Sequence, residues 1–369
     1  MNVQLRKPFF PEDSIKIILS NVENILRNGQ LTLGEEVKLL EKNFSKYIGV
    51  KYAASVSSAT AGLHLSLLSL GIKNDDEIIV PAKTFISTAN AALYCNAKPI
   101  FCDVDKKTYQ LDPTKLKQII TKKTKAIIPV HLGGNMCNMD EILEIANNYG
   151  LSVIEDSAHA HGSTYNNQKS GSFGKIGVFS FYPDKIMASA DGGIITTNDK
   201  SVYEKILLLR NVGRKKLGHD AYSEIGYNYR MNEIQATIAL EQLRILPKMI
   251  QRRREIANMY NSNLKNLKNL QIPLVDSNIK SSYYAYVLRM KKGNLENFLN
   301  KLSAKGIETS HMFLSVYKHL AYKKLLGITK PFCPISEKLD HETFTIPLHA
   351  GMKDQEVQYV IKEIQNISK

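Results

Sequence analysis

A chain of 369 residues, 43% hydrophobic and 23% charged, reads as an ordinary globular protein longer than one compact core usually fills, so two domains are expected. Its +14 formal charge is spread along the chain, as in Lys122, Lys123 and Lys125, Lys215 and Lys216, and Arg252 to Arg254. No aromatic ladder interleaves these runs, so no nucleic acid is expected as partner, only steering of a small anionic substrate. Tyr52 to Ile72, the longest stretch without formal charge, is too rich in serine for hydrocarbon, and no apolar signal follows Met1. Cys95, Cys102, Cys137 and Cys333 form no CxxC pair, which fits a reduced compartment. A cytoplasmic protein with no membrane association is the expectation.

In chain order, Glu77 to Val80 reads as a strand, Ser87 to Tyr94 as a helix, and Pro99 to Val104 as a strand. Thr114 to Ile120 reads as a helix, Ala126 to Val130 as a strand, Met139 to Tyr149 as a helix with Gly150 past its end, and Ser152 to Ile154 as a strand. This βαβ rhythm predicts an α/β fold with a mostly parallel sheet between helices, and functional groups in loops beyond the strands' C-terminal ends. Ile194 to Thr197 is a further strand and Val202 to Leu209 a helix, followed by two longer helices, Asn232 to Leu243 and Pro247 to Leu267. Near Gln271-Ile272-Pro273 the pattern changes: Tyr284 to Met290 reads as a strand, Leu295 to Ala304 and Asp354 to Ile367 as helices. The expected division is a large domain of residues 1–248 and a smaller C-terminal α+β domain of residues 249–369.

Three segments carry candidate chemistry. Ser57-Ser58-Ala59-Thr60-Ala61-Gly62 precedes a helix, and small residues there leave backbone N–H groups open to a phosphate; the same segment also reads as an ordinary N-cap. Val153 to Gly162 places Asp156 just past a buried strand with His159 and His161 beyond it. A carboxylate so placed needs a partner. A cationic ring nitrogen, a metal held with the two histidines, or structural hydrogen bonds would each serve. In Val178 to Gly193 a strand ends at Ser180, turns at Pro183, presents Lys185 and reaches Gly192-Gly193. A lysine in a desolvated strand-end loop can lose its proton and act as a Schiff-base nucleophile.

These segments, with DEIIVPAKTFISTANAALY, IFCDVDKKTYQLDP, PVHLGGNMCNMDEI, GYNYRMNEIQA and IPLHAGM, resemble the sugar aminotransferases of the DegT/DnrJ/EryC1/StrS family over nearly the whole chain. The resemblance implies the aspartate-aminotransferase fold (fold type I), a pyridoxal 5'-phosphate cofactor and a homodimer with shared active sites. It implies that Lys185 bonds the cofactor and shuttles protons, and that Asp156 holds the pyridine nitrogen protonated. His159 would lie beside the ring, Phe85 would stack on it, and Ala59, Thr60 and Ser180 would hold the phosphate. Asn228 would reach the phosphate from the other subunit. The implied reaction is ping-pong through pyridoxamine phosphate, from an amino acid, usually glutamate, to a keto sugar on a nucleotide diphosphate. GYNYRMNEIQA and Gly306 to Thr309 look like the enzymes acting on 4-keto-6-deoxy sugars, such as perosamine synthases. A 3-keto sugar is the alternative substrate. More distant alternatives are a dehydratase with the same cofactor, whose family members carry histidine in place of Lys185, and a non-catalytic regulator. Ile186 to Asp191, Ser310 to Phe313 and Arg210 to Gly213 depart from the common family patterns, in segments expected to face the sugar.

Overall fold

The computed structural model describes residues 1–215, 222–327 and 332–368; Lys216, in one of the basic runs, lies outside them. The chain opens with two helices, α1 (Glu12–Asn28) and α2 (Glu35–Ile48). Each carries acidic residues in its first turn and a basic one in its last, as the helix dipole favours, and each stops at a glycine. The N-terminus of α2 is capped from far away in sequence: the Glu233 carboxylate accepts the N–H groups of Gly34, Glu36 and Val37.

Alternating elements follow: β1 (Tyr52–Val56), α3 (Ala59–Ser69), β2 (Glu77–Pro81), α4 (Ile86–Tyr94) and β3 (Lys98–Cys102). After these come α5 (Leu116–Ile119), β4 (Thr124–Ile127), α6 (Met139–Tyr149) and β5 (Ser152–Asp156). A two-residue ribbon, β6 (Thr164–Tyr165) and β7 (Gln168–Lys169), precedes β8 (Ile176–Ser180), β9 (Gly193–Thr197) and α7 (Lys200–Arg210). One sheet collects the seven longer strands in the order β1-β9-β8-β5-β4-β2-β3. From β8 to β3 every pairing is parallel, whereas β9 runs antiparallel to both neighbours. The mostly parallel sheet read from the sequence is therefore observed. Its strands are buried on both faces, hence their runs of valine, isoleucine and phenylalanine.

Two readings are corrected. The two helices expected on either side of Leu246 are a single helix, α8 (Glu233–Leu264), with Pro247 inside it. An interior proline costs about 3 kcal/mol. Here the buried stripe continues through it, with Leu243, Leu246, Met249, Ile250, Ile256 and Ala257 packed, so tertiary burial outweighs the lost bond. The segment expected as one helix from Thr114 is instead a single 3-10 turn leading into the short α5.

Beyond α8 come β10 (Leu270–Gln271), β11 (Ile279–Lys280), β12 (Tyr286–Met290), α9 (Leu295–Ala304), β13 (Ser310–His311) and α10 (Leu320–Leu326). The chain closes with α11 (Pro334–Asp340), β14 (Thr343–Ile346) and α12 (Asp354–Ile367). A second, antiparallel sheet runs β10-β12-β14-β13. Val3 joins the core beneath this sheet, pairing with Ile307, so the N-terminal strap carries Arg6 back across the molecule. Among the described residues no helix is long and apolar enough to cross a membrane.

Candidate active site

The loops beyond the C-terminal ends of β1, β2, β5 and β8 converge on a cavity of about 510 Å³, within the range of small-molecule sites. Ala59, Thr60, Phe85 and Asp156 line it, as do His159, Ser180 and Lys185. The eighth expected residue, Asn228, is exposed and does not line the cavity of its own chain. Its backbone pairs with Asn211.

At one wall, Ser58 caps α3 by accepting the Ala61 N–H, and the first turn of that helix abuts β9. A Cβ on Gly193 would lie 2.7 Å from the Ala59 nitrogen and from the Phe179 carbonyl oxygen, so only glycine permits this approach. The Thr60 hydroxyl meets that of Ser87 at 2.8 Å, and Ser180 Oγ accepts the Tyr182 N–H. The N-cap reading and the anion-site reading of this segment are thus compatible: one serine caps the helix while other groups face the cavity.

Asp156 ends β5. Its carboxylate accepts the Thr88 hydroxyl at 2.8 Å and the Ala158 N–H at 3.2 Å. Burial pushes its pKa up, against those bonds and the charge of Lys185. Among the described residues no lysine, arginine or histidine forms an ion pair with it, so its carboxylate faces the cavity without a direct cationic partner. His159 is pressed well below its ordinary pKa by burial and by the charges of Lys185 and Arg6. It is therefore neutral, with Nδ1 receiving the Gly133 N–H at 3.4 Å. Its ring stacks on Tyr284, with centroids 3.9 Å apart. Gly134, at φ +88°, makes room for this: a Cβ there would meet the Tyr284 nitrogen at 2.8 Å.

The metal reading of this segment finds no support. Among the described residues no group of three histidine, cysteine or acidic side chains could hold an ion. His161 packs against Phe179 and Phe181, and burial, with the charge of Lys185, pushes its pKa down to about 3.

Lys185 sits on the turn after β8 with its side chain 13% exposed. Burial lowers its pKa, and the neighbouring Asp184 carboxylate, 3.1 Å from Nζ, partly restores it. Nζ also lies 3.3 Å from the Tyr284 hydroxyl, which in turn donates to Asp184 at 2.8 Å. Arg6 completes this cluster by pairing with Asp184 at 2.9 Å and lying over the Tyr284 ring. Burial would raise the Asp184 pKa, but the charges of Lys185 and Arg6 outweigh it and the carboxyl stays ionised.

Arg6, Asp184 and Tyr284 escaped the sequence reading. Asp184 adjoins Lys185 in Pro183-Asp184-Lys185, a signal that was present; nothing local marks Arg6 or Tyr284, which arrive from 178 and 100 residues away.

The assembly fits pyridoxal phosphate on its own chemistry. A buried amine of lowered pKa suits a carbonyl, a buried carboxylate without an ion-pair partner suits a protonated pyridine, and a helix N-terminus that Gly193 lets sit close against β9, at the cavity wall, suits a phosphate.

Comparison with known proteins places the chain. It is 37% identical to a GDP-perosamine synthase of Caulobacter vibrioides, covering 91% of each chain. It is 36% identical to a dTDP-3-amino-3,6-dideoxy-alpha-D-galactopyranose transaminase of Aneurinibacillus thermoaerophilus, over 95% of this chain and 94% of the relative. The pyridoxal-phosphate form of a putative sugar aminotransferase from Streptococcus pneumoniae superposes with a TM-score of 0.93 at 29% identity, covering 100% of this chain and 99% of that one. With residues 13–365 also matching the family model, the chain belongs to the DegT/DnrJ/EryC1/StrS aminotransferase family.

Proposed function

We propose that this enzyme transfers an amino group from an amino acid, with glutamate the expected donor, to a 4-keto-6-deoxy sugar carried on a nucleotide diphosphate. The observation that carries the reading is one cavity bearing both a buried amine of lowered pKa, Lys185, and a buried carboxylate without a cationic partner, Asp156. Pyridoxal phosphate, when bound, supplies the electron sink that lets a proton leave and return at the substrate carbon. Lys185 would hold the cofactor and carry that proton on Nζ, whose lowered pKa favours the free amine. Asp156 would keep a proton on the ring nitrogen. His159 and Phe85 would bound the ring, and Ala59, Thr60 and Ser180 would take the phosphate. The wall formed by Tyr284 and Phe313 would exclude water from Lys185.

The position of amination rests on the likeness of GYNYRMNEIQA and Gly306 to Thr309 to enzymes acting on 4-keto-6-deoxy sugars. A second reading, amination at C3, is favoured by the name of the Aneurinibacillus relative, which is nearly as similar as the Caulobacter one. We further propose a homodimer in which Asn228 serves the partner's phosphate site; its exposure outside its own cavity supports this. The division into residues 1–248 and 249–369 is supported by the seven-stranded sheet lying wholly before it and the four-stranded sheet wholly after. A cytoplasmic location fits the reduced cysteines.

The test is spectroscopic. Purified protein should be yellow and lose that colour on adding glutamate; Lys185→Ala should fold normally and turn nothing over. Colour that persists with every amino donor would point instead to a dehydratase or lyase.

A further inference from the structure

Phe313 is held over the cavity by a device that the functional assignment leaves unused. It follows β13 and adopts φ +43°, a left-handed conformation costly for an aromatic residue. Its ring lies 5.8 Å from that of Phe85 and 5.8 Å from that of His159, so it spans the groups expected on the two sides of the cofactor ring. Something must stabilise this backbone, and the structure supplies it from the opposite wall.

Lys83, two residues past the end of β2 and two before Phe85, is wholly buried. Its Nζ donates to the Phe313 carbonyl oxygen at 2.6 Å and lies 3.2 Å from Asp340 Oδ1. The same Asp340 oxygen accepts the Ser315 N–H at 2.9 Å, and Lys318 lies 3.4 Å from its other oxygen. Backbone pairing of Lys83 with Ser315, and of the Val316 N–H with the Ala82 carbonyl, ties the two segments side by side. Asp340 comes from the last turn of α11, 257 residues from Lys83. A wholly buried lysine and aspartate thus fix the backbone just after Phe313, Lys83 through the Phe313 carbonyl and Asp340 through the Ser315 N–H.

We propose that Lys83 and Asp340 are positioning residues that lock Phe313 against Phe85 and His159, closing the acceptor side of the cavity. Lys83 does not line the cavity and touches no reacting group; it acts through the Phe313 carbonyl. The placement rests on geometry alone. Its consequence for turnover rests on the aminotransferase reading.

The chain contains no tryptophan, so Phe313→Trp introduces a single tryptophan, excited selectively over the tyrosines, at the position in question. The cofactor-loaded full-length protein carrying Phe313→Trp is compared with the same protein carrying Lys83→Met and Asp340→Asn as well. Acrylamide quenching should increase severalfold and emission should shift to the red when the pair is removed. Unchanged quenching and emission overturn the proposal. Should the double substitution prevent folding, Asp340→Asn alone keeps the acceptor used by Ser315 and removes the charge that holds Lys83. It should give the same changes in weaker form, and their absence is equally decisive against the lock. In the background with Phe313 intact, the pair's removal should raise the acceptor KM by about tenfold with a smaller change in kcat. Fluorescence changes without that KM effect would contradict closure of the acceptor side; enzyme inactive before any substitution would refute the aminotransferase reading and leave the fluorescence test standing.

Discussion

Gly193→Ala puts the anion-binding wall under direct test. Its backbone is not left-handed; the constraint is room, because a Cβ there would meet the Ala59 nitrogen and the Phe179 oxygen at 2.7 Å and the Ser58 carbonyl carbon at 2.8 Å. Ordinary contact begins at 3.4 Å, so the first turn of α3 must retreat from β9 by about 0.7 Å, and overpacking of this kind costs roughly 1–3 kcal/mol. The retreat moves the Ala59 and Thr60 amides away from a bound phosphate. Losing one hydrogen bond to a charged group costs about 1.5–3 kcal/mol, or roughly tenfold to a hundredfold in cofactor affinity. Gly174→Ala is the control. Its Cβ would meet the Val153 oxygen at 2.6 Å, an equally hard clash, but just before β8, at least a strand's length of about 17 Å from the cavity end of that strand. Denaturant unfolding of the apoproteins and titration with pyridoxal phosphate, read by absorbance, separate the two effects. Both variants should lose stability and only Gly193→Ala should lose affinity. Gly193→Ala binding the cofactor as tightly as the native chain would refute the assignment of that wall to the phosphate.

Asp184→Asn removes the carboxylate that partly restores the Lys185 pKa, and it frees Arg6, whose charge lowers that pKa further. The Lys185 pKa should therefore fall, so the acid limb of cofactor capture by the apoprotein should move to lower pH; a shift to higher pH would contradict the electrostatics described. Lys83→Met leaves Asp340 buried without its principal partner and should cost about 3–5 kcal/mol in denaturant unfolding, most of it recovered on adding Asp340→Asn. A fully stable single variant would mean that the Lys83–Asp340 pair is not held as the structure shows. Mixing Asn228→Ala with Lys185→Ala after subunit exchange should restore roughly a quarter of native activity, since half the dimers carry one intact site. Activity no higher than the sum of the separate variants would argue against a site completed by two chains.

Much of the fold was legible because buried parallel strands and amphipathic helices write different periods into a sequence. Met139 to Tyr149, Leu295 to Ala304 and Asp354 to Ile367 were read with the observed boundaries. Pro247 misled because its local cost is visible in sequence while the packing that outweighs it is not. At the site, the residues legible in sequence are those on short motifs at strand ends, where chain order and spatial order coincide: Thr60 after β1, Asp156 at the end of β5, Lys185 after β8. Illegible were groups whose meaning lies in a distant partner. Tyr284 matters because Gly134 lets its segment approach His159, and Lys83 because Asp340 reaches it from α11. A lysine beside a threonine and a phenylalanine carries no local sign that it will be buried against a carbonyl 230 residues away.

Glutamate labelled with heavy nitrogen tests the central claim most directly. The cofactor-loaded enzyme is incubated with the labelled donor and, separately, with nucleotide-linked 4-keto-6-deoxy and 3-keto-6-deoxy sugars, and the nucleotide sugar is analysed by mass. The account predicts labelled nitrogen on the 4-keto substrate, dependent on Lys185. Label on the 3-keto sugar alone would move amination to C3, and a nucleotide sugar that never acquires the label, with either acceptor, would contradict the proposed reaction itself.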